Sequence, residues 1–155
     1  MKIDRYEKIF MLLGVGILAM GLIAIAISVL HYGLHVPSPD GRIAPGDVRA
    51  TSPWDEPGVY ETGDGEYEVI MLAETWRFVP DEVRVPAGSE VTFRMTSPDV
   101  VHGVLIEKTA VNVMIIPGQI ATVTHTFDEP GEHLFVCHEY CGTGHHLMSG
   151  RVVVE

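Results

Sequence analysis

The chain has 155 residues, 46% of them hydrophobic, and a formal net charge of −11. That length leaves room for one modest domain and an appendage. The negative balance offers no basic footprint for a nucleic acid.

The apolar residues are unevenly placed. Ile9 to Leu30 carries no charge and a single polar side chain, Ser28. As a helix it would span roughly 33 Å, enough for a bilayer core. No small-residue cleavage site follows it, so the run reads as an uncleaved anchor rather than a signal peptide. Lys2, Arg5 and Lys8 precede the run, and the next base is Arg42. The positive-inside rule then puts the N-terminus in the cytoplasm and the rest of the chain in the periplasm or outside the cell. Gly14, Gly16, Ala19, Gly21, Ala24 and Ala26 would let another membrane helix approach closely.

Residues 1–35 are thus expected to be a cytoplasmic tip and anchor. Residues 36–65 read as a linker, because Pro37, Pro39, Pro45, Pro53 and Pro57 alternate with glycines and forbid long helices. Trp54 is expected to pack this linker on a neighbouring surface.

From Glu66 the apolar period changes to two. Strands are expected at 67–71, 82–85, 90–95, 103–106, 121–127, 132–136 and 151–154, with Pro-Gly turns between several of them. Many short strands with such turns predict a mainly β sandwich or barrel over residues 66–155.

The chemistry is concentrated near the C-terminus. Cys137, Cys141, His145 and Met148 form the pattern C-x3-C-x3-H-x2-M. Thiolates, an imidazole and a thioether select copper among the common metals, whereas zinc has no use for a thioether. Two thiolates can bridge two coppers, which calls for a second imidazole from elsewhere. The best candidate is His102, at the start of an alternating run. A simple disulfide between the two cysteines is the competing reading. No general acid, nucleophile or phosphate cradle is visible, so the pattern points to electron transfer rather than bond making.

The His102 segment, the 35-residue gap to Cys137 and the loop C-x-E-x-C-G-x-G-H-x-x-M resemble the CuA domain of cytochrome c oxidase subunit II. The resemblance runs from about Glu66 to Glu155. It implies a cupredoxin-like Greek-key barrel tethered by one transmembrane helix. It also implies a dinuclear CuA centre: Cys137 and Cys141 bridging, His102 and His145 binding one copper each, Met148 and the Glu139 carbonyl as weak axial ligands. The side chain of Glu139 could instead help hold a magnesium ion, which the sequence leaves open. A single anchor helix and the segment Tyr6-Glu7-Lys8 resemble the B-family, ba-type haem–copper oxidases. By that resemblance Glu7 stands where protons enter the pathway of subunit I. Trp76 falls where the family carries the aromatic patch that receives electrons.

The implied partners are subunit I with its haems, cytochrome c as electron donor, the membrane, and a small membrane subunit. Residues 36–155 carry a net charge of −12, which would steer a basic donor. The implied function is acceptance of electrons from cytochrome c and their delivery to haem, with O2 reduced to water and protons translocated. Three other readings share features of the pattern. They are a membrane-anchored copper chaperone, a free-standing copper electron carrier, and the CuA subunit of a nitric oxide reductase.

Overall fold

The computed structural model describes residues 4–32 and 39–155, with side-chain detail ending at Leu30 in the first stretch. Lys2, the side chain of His31, and His35, Val36 and Pro37 therefore lie outside the described residues. The chain divides into two compact units, Met1–Pro37 and Ser38–Glu155.

In the first unit α1 runs from Arg5 to Tyr32. Its apolar residues are exposed all round, and it is long and apolar enough to cross a membrane. A helix with no polar face has no use in water.

The second unit is a two-sheet sandwich. Its strands are β1 (Gly41–Arg42), β2 (Gly58–Gly63), β3 (Glu66–Glu74), β4 (Arg77–Val79), β5 (Glu82–Val85) and β6 (Ser89–Thr96). Then come β7 (His102–Ile106), β8 (Asn112–Ile115), β9 (Gln119–Phe127), β10 (Gly131–Val136) and β11 (Ser149–Val154). One sheet has the order β1-β9-β6-β3-β2, with β4 also paired to β3; the other runs β5-β11-β10-β7-β8. Most pairs are antiparallel, but β3 pairs with β6, and β5 with β11, in parallel.

Alternation along the strands builds the core between the sheets. Val69, Met71, Val91, Phe93 and Met95 from the first sheet meet Val104, Ile106, Phe135, Val152 and Val154 from the second. Phe78 and Phe135 meet edge to face, with ring centroids 5.2 Å apart.

The stretch expected to be a linker is largely part of this sandwich. It supplies β1, a 3-10 turn at Pro45–Ala50 and strand β2. The segment from Ile43 to Trp54, here called the strap, lies across the outer face of the first sheet. Val48 and Trp54 bury themselves there against Ile70 and Leu72. Both faces of β3 are therefore covered, and from Val69 to Glu74 every residue is buried. Trp54 packs on its own sheet rather than on a foreign surface. Four strands, β1, β2, β4 and β8, add to those expected.

Candidate metal centre

Three segments converge at one end of the sandwich. β7 opens on His102, β10 ends at Val136 and delivers Cys137, and the loop 137–148 leads into β11. The loop is pinned at its ends, where Cys137 N donates to the Met148 carbonyl at 3.0 Å. Inside it a short 3-10 turn, His145–Leu147, is closed by Met148 N donating to the His145 carbonyl at 3.1 Å. That turn brings His145 and Met148 back toward the cysteines.

Both cysteines are buried and free. Their sulfurs stand 3.8 Å apart, far beyond the roughly 2.05 Å of a disulfide. Cys137 Sγ has His102 Nδ1 at 3.9 Å and the Glu139 carbonyl oxygen at 3.2 Å. Cys141 Sγ has His145 Nδ1 and Met148 Sδ, each at 3.6 Å. Each sulfur thus has one imidazole and one weak donor beside it. The donor atoms of His102, Cys137 and Cys141 all lie within 4.8 Å of one another. The six residues singled out in the sequence are therefore brought together. The set is soft and paired, and it fits two copper ions sharing two thiolates.

The electrostatics suit a metal rather than free thiolates. Burial first, and then the neighbouring Cys137 thiol, push the Cys141 thiol up to about 11. A bound metal ion would have to displace that proton.

His102 is fully buried. Its Nε2 donates to Asp99 Oδ1 at 2.9 Å, so Nδ1 faces Cys137 as the free donor. Asp99 also accepts from Val100 N at 2.6 Å, and from Thr75 N and Oγ1 at 2.8 and 2.6 Å. Its partial burial disfavours the charge. The hydrogen bonds from Thr75, His102 and Val100 outweigh that and hold the carboxyl well below the usual carboxylate range. Neither Asp99 nor Thr75 was singled out in the sequence. The available signal was an acid three residues before the candidate ligand.

Trp76 sits at the turn between β3 and β4 and is 46% exposed. Its indole lies against Gly142 and Gly144 of the loop; a Cβ at Gly144 would fall 2.5 Å from the ring. Gly142 also adopts φ +120°, a conformation that side chains rarely take. The ring of His138 lies over Gly103. Glu7, expected to have a separate role, lies exposed in the first turn of α1.

The chain is similar to known proteins along most of its length. A family model described as cytochrome c oxidase subunit II, periplasmic domain, matches residues 67–155. Cytochrome c oxidase subunit 2 of Thermus thermophilus is 43% identical over 116 residues, covering 74% of this chain and 86% of that protein. A chain from the cryo-EM structure of a heme-copper terminal oxidase dimer superposes with a TM-score of 0.75 at 35% identity, covering 97% of this chain and 100% of that one. The periplasmic domain of cytochrome oxidase subunit II from Bradyrhizobium japonicum shares the fold, with a TM-score of 0.53 at 18% identity over 57% of this chain and 83% of that one.

Proposed function

The chain belongs to the cytochrome c oxidase subunit II family, the subunit through which electrons enter haem–copper oxidases, and from that premise we propose a dinuclear CuA centre as its cofactor. Cys137 and Cys141 would bridge the two coppers. His102 and His145 would bind one each, with Met148 and the Glu139 carbonyl as weak axial donors. The observation that carries this reading is the pairing of donors, one imidazole and one weak donor beside each sulfur. When bound, the coppers would supply one-electron uptake and release with little change in geometry.

The chain's own residues do the rest. The loop is clamped between β10 and β11, so its donors are held by the sheet rather than by the metal. Buried sulfurs keep water out. Trp76, half exposed and seated on the loop, offers a donor protein an aromatic contact beside the site. We assign cytochrome c as that donor, because an acidic domain steers a basic partner. Haem in subunit I is the acceptor, where O2 is reduced to water.

α1 would anchor the chain in the membrane with its N-terminus in the cytoplasm, since Arg5 and Lys8 lie before the apolar run. A small membrane subunit could pack on its glycines. Glu7, flanked by those two bases, would collect protons for subunit I. The test is purification of the intact complex. A haem-bearing subunit should copurify, and the complex should oxidise cytochrome c with O2 as acceptor. A chain isolated alone, without haem, would contradict the assignment to an oxidase.

A further inference from the structure

The turn Glu74–Arg77 touches the strap, the Asp99 carboxylate that holds His102, and the metal loop through successive residues. Glu74 is only 7% exposed, and a carboxylate so placed is costly unless paired. It has two partners. Arg77 Nε and Nη2 donate to Oε2 at 3.1 and 2.9 Å. Arg49, from the strap, donates to Oε1. Both arginine side chains are mostly exposed, 59% and 64%, so they add little core packing. What they do is fix the carboxylate. The next residue, Thr75, holds Asp99 through its amide and its hydroxyl, and Asp99 holds His102 Nε2. The residue after that, Trp76, lies on Gly142 and Gly144.

We propose that the strap is a working part of the metal centre. Arg49 is a positioning residue that fixes the Glu74–Arg77 turn, and through it the ring of His102 and the seat of the loop. Arg49 lies before residue 67, where the match to the family model begins, so nothing in that match assigns it a role. The inference rests on the copper reading above, and one of its two tests does not depend on copper.

The experiment uses the full chain in detergent and compares wild type with Arg49→Gln, Arg49→Lys, Thr75→Val and the double variant Arg49→Gln/Thr75→Val. The first readout is the rate of copper loss to a chelator. Losing a group that orients a metal ligand costs about tenfold or more in metal affinity. Arg49→Gln and Thr75→Val should each speed copper loss about tenfold. Arg49→Lys should stay near wild type. The double variant should be no worse than the worse single one, because both act on one chain of contacts. The second readout is nitrogen NMR of labelled histidine in the metal-free chain. Wild type should show His102 with its proton on Nε2, and both single variants a mixture of tautomers. Circular dichroism checks that each variant is folded.

The inference is overturned if Arg49→Gln leaves copper loss and the His102 tautomer at wild-type values while Thr75→Val changes both. A double variant about a hundredfold faster than wild type would also overturn it, since the two residues would then act independently. If wild type takes up no copper, the copper reading fails, and the tautomer measurement alone decides whether Arg49 positions His102.

Discussion

Cys137 Sγ and Cys141 Sγ stand 3.8 Å apart, near enough to share a metal ion and too far for a disulfide. Without metal, burial makes a negative charge on Cys141 unwelcome, and the closeness of Cys137 adds to the effect. The Cys141 thiol is accordingly raised from 9.0 to about 11. A raised thiol favours the folded state while it stays protonated. Its contribution is fully present below pH 9 and is lost as pH climbs toward 11. Metal-free protein should therefore unfold at lower denaturant as pH rises through that window. Cys141→Ala should flatten the dependence. An equal slope in both proteins would place its origin elsewhere.

The strap should matter for stability as well as for the site. Trp54 is 2% exposed and packs with Val48 on Ile70 and Leu72. Trp54→Ala should cost about 3–5 kcal/mol, read as a lower midpoint in urea. A fragment beginning at Glu66 removes both the strap and β2. It should be markedly less stable than the fragment Ser38–Glu155. Equal midpoints would show that the strap is dispensable to the fold.

Electron uptake should depend on charge at long range and on Trp76 at short range. If the acidic domain steers a basic cytochrome c, the bimolecular rate should fall as salt rises above about 0.1 M, where the Debye length is about 10 Å. Trp76→Ala should slow uptake more than any single acidic substitution, because the indole lies on the metal loop. A flat salt profile in stopped-flow oxidation of cytochrome c would remove the steering role.

Glu7→Gln separates proton supply from electron supply. The variant should keep the copper spectrum and the rate of electron uptake. Steady-state turnover of the purified complex should fall, because later steps wait for protons. Turnover at the wild-type rate at every pH tested would return Glu7 to the ordinary role of a charge at a helix end.

The donor residues were legible because their chemistry is local. Five of the six lie within twelve residues, and only His102 had to be brought from 35 residues away. Strands such as β9 were legible because one face is wet and alternation survives. β3 was seen only in part, since the strap buries its outer face and erases the alternation after Glu68. The strap was misjudged for a related reason. Its prolines and glycines do forbid long helices, but what holds it down is Trp54 against Ile70 and Leu72, a contact between distant residues. Asp99 and Thr75 escaped because a pair of hydrogen bonds across 24 residues leaves no periodic trace.

The central claim is that two coppers share the two thiolates. The most direct measurement is copper content together with EPR on the Ser38–Glu155 domain loaded with copper. Two coppers per chain, with hyperfine structure from one electron spread over two copper nuclei, is the predicted result. Cys137→Ser and Cys141→Ser should each abolish that shared spectrum, while Met148→Leu should keep both coppers and shift the potential. One copper per chain with a four-line spectrum would contradict the account.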